Sequence, residues 1–199
     1  ADVGHRARDC ADDGEIEIKG PGVFSGYYRN DEATAAAFTD DGYFRSGDIG
    51  ELDADGYLRI TDRKKNIIIT AGGKNIAPQP IENLLKEHPL VGQALVYGDQ
   101  RPYLVALLTL DPETVPDWAA AHGVAPTLEA VAAHPDVVAS VGAWVERVNG
   151  QVARYESIKR WRLLSTPFVP ENGYLTPTLK LKRREILKDF GDVVGQLYT

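Results

Sequence analysis

The sequence contains no methionine, a single cysteine and no long hydrophobic run. The low cysteine count and the short apolar runs each exclude a class of protein. One thiol, Cys10, cannot form a disulfide within the chain and cannot supply a zinc site built from several cysteines. The longest apolar runs, 67–69 and 104–108, are far too short to cross a bilayer, and residues 1–13 contain no apolar core of a secretory signal. The sequence therefore predicts a soluble, cytoplasmic protein.

Methionine is missing even from the first position, where Ala1 stands, and this absence favours a piece of a longer protein. The four histidines show no spacing typical of metal ligands, so no metal site is predicted from them. A net charge of −7 argues against nucleic acid as a partner. Residues 1–62 hold 6 Lys and Arg against 15 Asp and Glu, whereas residues 63–199 hold 16 against 14. This change of sign indicates a domain boundary.

The first third of the chain has the pattern of an antiparallel sheet. Residues 15–19 alternate between polar and apolar, as a half-buried strand does, and residues 31–38 favour a short helix. Asp-Gly pairs at 41–42 and 55–56 are typical of tight turns between short strands, which we predict at 43–45, 49–52 and 57–60.

From residue 67 onwards, predicted strands and helices alternate. The strands are expected at 67–70, 91–97, 103–110 and 160–164, and the helices at 79–86, 116–122, 128–151 and 182–197, with an interruption near 134–135. The predicted fold class is α+β. Antiparallel strands at 1–62 precede a hinge at 63–66 and a smaller α/β domain at 67–199, which carries a helical insert at about 112–155.

Four short motifs carry residues that could do chemistry. Asp48 follows Gly47 between two predicted strands, where a carboxylate can accept hydrogen bonds from the two neighbouring hydroxyls of a ribose or simply cap a turn. The basic stretch at 62–66 fits a solvated turn. Lys180 precedes a basic helix, and either clamps a phosphate or carboxylate or is a surface charge.

The remaining motif is the glycine-rich loop at 71–78, which contains Gly72, Gly73 and Lys74. It lacks the spacing of a nucleotide P-loop, so that assignment is rejected. Two adjacent glycines nevertheless mark a position where the backbone can approach a ligand closely or adopt positive φ.

Taken together, the order and spacing of these motifs resemble the adenylate-forming enzymes, the superfamily of acyl-CoA synthetases, peptide-synthetase adenylation domains and luciferases. The stretches that carry the resemblance are Gly42-Tyr-Phe-Arg-Ser-Gly-Asp48, Asp62-Arg-Lys-Lys65, Gly73-Lys-Asn-Ile-Ala-Pro78 and the lysine loop. The sequences at 62–76 and 175–180, and the helical insert, are most similar to those of the long-chain fatty acyl-CoA synthetases.

The resemblance implies a C-terminal fragment: the last strands of a large N-terminal domain, a hinge at Lys65, and a small mobile lid. It implies that Asp48 and Arg63 contact the ribose of AMP and that Gly72, Gly73 and Lys74 line the side facing CoA. Lys180 is implied as the catalytic lysine of the Gly-Lys-Ile-x-Arg pattern, although Leu179 replaces the glycine and Lys182 stands two residues away.

The resemblance also implies the substrates and partners. These are ATP, CoA and a long-chain fatty acid, with Mg²⁺ held by the absent N-terminal domain, which is itself a partner. Lys182, Arg183 and Arg184 either contact CoA phosphates or lipid headgroups or form a solvated helix start, and these alternatives stay open. Contact of the protein with the inner face of a membrane also stays open. Two other functions also stay open: a fatty acyl-AMP ligase that passes the acyl group to a carrier protein, and a non-catalytic interaction or regulatory module.

Overall fold

The computed structural model describes residues 6–9, 14–53, 55 and 57–199. Cys10, Gly56 and the first five residues, which entered the predictions above, lie outside these ranges. The chain divides into two compact units, Ala1–Ile67 and Ile68–Thr199, hereafter unit 1 and unit 2. This division falls next to the predicted hinge at 63–66, whose role as a hinge stays a prediction.

Unit 1 is built on a four-stranded antiparallel sheet with the strands in chain order. Its strands are β1 (Arg6–Asp9), β2 (Glu15–Lys19), β3 (Phe44–Leu52) and β4 (Leu58–Arg63), followed by a 3₁₀ turn at Lys64–Asn66. Helix α1 (Asp31–Ala37) begins where Asn30 Oδ1 accepts a hydrogen bond of 2.9 Å from the backbone N–H of Ala33. This cap satisfies one of the unpaired donors at a helix start.

The predicted pair of short strands at 43–45 and 49–52 is wrong, because β3 is one continuous strand. Its irregularities occur at Gly47, which has φ +71, and at a shift in its pairing with β4 between Ile49 and Gly50. Side chains replace the ladder hydrogen bonds there: Ser46 Oγ donates to the carbonyl of Ile16 at 2.6 Å. A strand can continue through a bulge when its polar groups find such partners.

Unit 2 contains a two-stranded ribbon, a three-stranded sheet and five helices among its described elements. The ribbon pairs β5 (Ile68–Ile69) with β6 (Asn75–Ile76), and the sheet has the order β7 (Val91–Tyr97), β8 (Leu104–Leu110), β9 (Ile158–Leu164). β7 and β8 are antiparallel, whereas β8 and β9 are parallel. The helices are α2 (Pro78–Leu85), α3 (Val115–His122), α4 (Leu128–Ala132), α5 (Pro135–Asn149) and α6 (Arg183–Gln196).

The predicted α+β class is confirmed, and the β7–β8–β9 sheet separates two hydrophobic clusters. β8 is buried along its whole length, as a central strand covered on both faces should be. Its even-numbered residues pack against α2, α3, α4 and α5. Its odd-numbered residues Val105 and Leu107 pack against α6 and the segment before it, through Phe168, Leu175 and Ile186. α6 and its preceding loop are therefore anchored by their own core.

A helix that crosses a bilayer must be long and predominantly apolar. Within the described ranges, none of the helices is both long and apolar enough for this.

Candidate functional site

Asp48 and Arg63 lie opposite each other on β3 and β4. The Nε atom of Arg63 is 2.7 Å from Oδ1 of Asp48, and the Asp48 side chain is 26% exposed. An ionised carboxylate can accept about four hydrogen bonds. Asp48 therefore retains acceptor capacity for a ligand while the guanidinium holds its orientation. The structure brings these two predicted site residues together.

A second carboxylate, Glu15, supports the backbone beside Asp48. Its Oε1 accepts a 3.0 Å hydrogen bond from the N–H of Gly47, and its Oε2 pairs with Lys64 Nζ at 2.9 Å. The Glu15 side chain is nearly buried. Its ion pair joins residues that are 49 positions apart, so no local sequence pattern indicated that Glu15 and Lys64 pair.

A shallow cleft of about 660 Å³ opens next to these residues within unit 1. Its walls come from α1, from β3 and from the basic residues after β4. The cleft is lined by Glu15, Tyr27, Ala33, Ala36, Ala37, Phe44, Arg45, Ser46, Gly47, Arg63 and Lys64. Small alanines on one side and cations on the other leave room for a flat polar or anionic group.

Lys65, the predicted hinge residue, lies in the 3₁₀ turn that follows β4. The turn begins after buried Asp62, whose Oδ1 accepts hydrogen bonds from the N–H of Arg63 at 2.7 Å and from Nδ2 of Asn66 at 3.2 Å. Lys65 itself is exposed. Hinges are commonly a few residues at the end of an element, which is where Lys65 lies, and its role as a hinge stays a prediction.

The glycine-rich loop of unit 2 is a tight turn with an open outer surface. Gly73 has φ +73, and its N–H donates to the carbonyl of Thr70 at 2.8 Å. A Cβ at Gly73 would meet no atom within 4 Å, and one at Gly72 would meet only Thr70 Oγ1 at 3.9 Å. The backbone here is therefore accessible to a ligand. Lys74 Nζ lies 5.6 Å from the ring centroid of Tyr155, a cation–π distance that extends this surface.

Lys180 lies in a tight loop that leads into α6. Within the loop the N–H of Thr176 donates to the Lys180 carbonyl at 2.8 Å, and the Lys180 N–H donates to Thr176 Oγ1 at 3.1 Å. Leu175 and Leu181 form an isolated antiparallel bridge, and Leu175 is buried. The backbone of the loop is thus fixed while the Lys180 side chain is exposed.

Leu179 adopts φ +58, which lies in the left-handed region. This conformation costs a non-glycine residue about 1–2 kcal/mol and suits glycine. Position 179 is therefore one that a glycine would adopt more easily than the leucine found there, and Lys180 follows it directly. Lys182 precedes α6 as its cap residue, and its N–H donates to the carbonyl of Tyr174 at 2.8 Å.

Arg183 is not a solvated start of α6, which corrects one of the two interpretations left open above. Its Nη2 lies 2.6 Å from Oε1 of Glu82, and its Nη1 donates to the carbonyl of Val96 at 3.0 Å. The Glu82 side chain is 6% exposed. Glu82 and Arg183 are 101 positions apart, so no local sequence pattern indicated their pairing.

Trp118, Trp144 and Trp161 are partly buried against the cluster around α5. The described residues contain no group of three or more His, Cys, Asp or Glu side chains that could hold a metal ion.

Comparison with known proteins gives a family and several relatives. The model of the AMP-binding enzyme C-terminal domain matches residues 65–199. Long-chain-fatty-acid–CoA ligase FadD15 of Mycobacterium tuberculosis is 45% identical over 191 residues, which are 95% of this chain and 32% of the relative. Long chain acyl-CoA synthetase 6, peroxisomal, of Arabidopsis thaliana is 38% identical over 189 residues, 93% of this chain and 27% of the relative.

Among solved structures, the A domain of carboxylic acid reductase from Segniliparus rugosus, in complex with AMP and a co-purified carboxylic acid, is similar with a TM-score of 0.76. Its sequence is 27% identical, and the similarity covers 98% of this chain and 31% of that one. The chain thus spans less than a third of the length of each of these three proteins.

Proposed function

Because this chain belongs to the AMP-binding enzyme C-terminal domain family, we propose that it is the C-terminal part of an ATP-dependent long-chain fatty acid–CoA ligase. The observation that carries this proposal is the 45% identity to a long-chain-fatty-acid–CoA ligase across 95% of the chain. The paired Asp48 and Arg63, and the exposed Lys180 on its fixed loop, support it. The 199 residues alone are expected to be inactive.

The first half-reaction joins two anions. The fatty acid carboxylate attacks the α-phosphorus of ATP, the bond to the β-phosphate oxygen breaks, and acyl-AMP and pyrophosphate form. Catalysis therefore requires positive charge where negative charge develops. We assign this task to Lys180, whose exposed ammonium can reach both the carboxylate and the α-phosphate. The left-handed backbone at Leu179 supports Lys180 over Lys182.

Asp48 and Arg63 bind the ribose of the nucleotide in this proposal. Asp48 accepts hydrogen bonds from the two ribose hydroxyls, and Arg63 orients the Asp48 carboxylate through their 2.7 Å contact. The similarity to an adenylation domain that holds AMP supports this role. Hydrogen bonds to a charged group contribute about 1.5–3 kcal/mol each, enough to position the sugar.

In the second half-reaction the CoA thiol attacks the acyl carbonyl, AMP leaves, and a thioester forms. We propose that unit 2 rotates at Lys65 between the two steps and presents Gly72, Gly73 and Lys74 to CoA. The open space outside both glycines supports a close approach of the pantetheine chain. The net positive charge of residues 63–199 favours approach to ATP and CoA, which are both polyanions.

The Mg²⁺ that accompanies ATP has no candidate ligand cluster among the described residues, and we derive no step through it. The N-terminal domain as partner, a cytoplasmic location and contact with the inner face of a membrane remain predictions from the resemblance.

The test is Lys180→Ala in the longer protein, with the two half-reactions measured separately. We expect adenylate formation, followed as fatty-acid-dependent exchange of pyrophosphate into ATP, to fall by about 10²–10³-fold. Thioester formation from supplied acyl-AMP and CoA should be retained. Lys182→Ala is the matched control and should leave adenylate formation within a few-fold of wild type. Intact adenylate formation in Lys180→Ala would contradict the assignment.

A second candidate is a fatty acyl-AMP ligase that passes its acyl group to a carrier protein. This candidate is supported by the similarity to the A domain of a carboxylic acid reductase, an enzyme that is not named as a CoA ligase. Both candidates share the first half-reaction. Free CoA and a phosphopantetheinylated carrier protein, offered separately as acceptors, distinguish them.

A further inference from the structure

We infer that Glu82 and Arg183 form a positioning pair that holds the Lys180 loop in the position and orientation needed for adenylate formation. The inference rests on the proposed function, because it concerns the residues that fix the proposed clamp. Glu82 lies on α2 and Arg183 is the first residue of α6, only three positions after Lys180. In place of the contact with CoA phosphates left open for Arg183 above, we expect neither residue to touch a substrate, because both Nη atoms of Arg183 are engaged within unit 2.

The pair closes a small network on the backbone of β7. Arg183 Nη2 lies 2.6 Å from Glu82 Oε1, Arg183 Nη1 donates to the carbonyl of Val96 at 3.0 Å, and the N–H of Val96 donates to the same Glu82 oxygen at 2.7 Å. Val96 is buried in the central sheet. The first residue of α6 is therefore tied through two directional contacts to α2 and to a buried strand of the central sheet.

The other end of the loop is fixed by packing. Leu175 is 3% exposed and lies in the hydrophobic cluster with Phe168 and Ile186. The segment between Leu175 and Arg183 is consequently held at both ends, and Lys180 projects from it. If the Arg183 end were released, the loop would keep its internal contacts, namely the bridge between Leu175 and Leu181 and the hydrogen bonds between Thr176 and Lys180, but would lose the side-chain tie to β7.

An arginine is needed at this position for a geometric reason. A planar guanidinium presents two parallel donors, and here they reach a carboxylate and a carbonyl that belong to different elements. A lysine ammonium can keep the charge next to Glu82 but cannot fix the same direction. Displacement of a catalytic group by about 1 Å can lower a rate by about 10²-fold.

The experiment compares Arg183→Lys, Arg183→Met and the double variant Glu82→Gln with Arg183→Met in the longer protein. For each, adenylate formation, thioester formation from supplied acyl-AMP, and the thermal unfolding midpoint are measured. We expect adenylate formation to fall by about 10²-fold in both Arg183 variants, with thioester formation within about twofold of wild type. The double variant, which leaves no buried unpaired charge, should recover thermal stability but not adenylate formation.

Val145→Ala is the control for loss of stability alone. Val145 is buried in the cluster around α5, on the opposite face of the sheet from α6. It should lower the unfolding midpoint without separating the two half-reactions.

The inference is overturned if both half-reactions fall together in the Arg183 variants, if adenylate formation returns with stability in the double variant, or if the Arg183 variants are unchanged. Failure of the proposed function gives a different result from failure of this inference. If the proposed role of Lys180 is wrong, Lys180→Ala itself leaves adenylate formation intact. If Lys180→Ala abolishes adenylate formation while the Arg183 variants retain it, only the positioning pair is wrong.

Discussion

Asp48 and Arg63 are paired for orientation rather than for stability. The Arg63 side chain is 55% exposed, and exposed ion pairs contribute at most about 1 kcal/mol to folding. The N–H of Asp48 is also held, since it donates to Ser46 Oγ at 3.1 Å. The backbone and one oxygen of Asp48 are thus fixed in advance, and in the proposed function this lowers the entropy lost when the nucleotide binds.

Replacement of Asp48 by asparagine should therefore weaken nucleotide binding more than it weakens the fold. The amide side chain of the Asp48→Asn variant would keep one acceptor oxygen but lose the charge, so we expect AMP affinity to fall by about 10- to 100-fold. Isothermal titration of AMP into the longer protein measures this change. Glu51→Gln is the matched control, because Glu51 lies on the same strand and pairs with exposed Arg59 at 3.8 Å. Equal losses in the two variants would contradict a ribose contact by Asp48.

At the residue scale, the sequence motifs predicted the residues of the candidate site but not the residues that hold them in place. Asp48, Arg63 and Lys180 stand in motifs that can be read along the chain. Glu15 and Glu82 act through partners 49 and 101 positions away, and such pairings exist only once the fold is formed. Long-range partners of buried carboxylates are therefore the part of a site that one sequence cannot supply.

At the element scale, strong local patterns predicted the structure well. The strand predicted at 91–97 is β7, with the same bounds, and the predicted interruption near 134–135 separates α4 from α5. Pro135 is the first residue of α5, where a missing N–H does no harm. β6, a two-residue strand, was missed because so short an element has no period of its own.

The turn between α2 and β7 is fixed by His88, which joins three elements of unit 2. Its Nδ1 accepts a 3.2 Å hydrogen bond from the N–H of Leu90, and its Nε2 lies 3.0 Å from Ser140 Oγ on α5. The ring packs edge-on against Trp144, whose Nε1 donates to the Leu84 carbonyl at 3.0 Å. Acceptance at Nδ1 requires the neutral ring with its proton on Nε2.

Acidification should lower the contribution of His88 to the free energy of unfolding. Burial lowers the pKa of His88 from its ordinary value of 6.5, so below about pH 6.5 the unfolded chain takes up a proton more readily than the folded one. The stabilisation is therefore complete above pH 6.5 and is lost as the pH falls through the folded-state pKa. Urea unfolding of the 199-residue chain between pH 5 and 8 measures it.

His88→Asn removes the titrating group while an amide oxygen can still accept from the N–H of Leu90. We expect this variant to show a smaller loss of unfolding free energy on acidification than the wild type. His122→Asn, which replaces an exposed histidine on α3, is the control for the loss of a histidine elsewhere in unit 2. Identical slopes in wild type and His88→Asn would contradict the role of His88.

At the scale of the whole molecule, buried apolar residues are distributed very unevenly. Both hydrophobic clusters lie in unit 2. Ile16 is the one buried hydrophobic residue among the side chains of unit 1 that the structure describes, at 14–51, 53, 55 and 57–67, and α1 buries none of its residues. A sheet with so little apolar burial has little to offset the entropy of ordering its backbone. This is what we expect of strands taken from a larger domain.

Hydrogen exchange tests this expectation. In the 199-residue chain, amides of β2, β3 and β4 should exchange much faster than those of β7 and β8, since exchange reports local unfolding free energy. In the longer protein, the amides of unit 1 should slow by at least about tenfold, equivalent to about 1.4 kcal/mol, because the rest of their domain then covers them. The amides of β7 and β8, which have their own core, serve as the internal control and should change by less than about twofold. Equal protection of unit 1 in both proteins would mean that residues 1–67 are stable by themselves, and that the interpretation of these strands as the end of a larger domain is wrong.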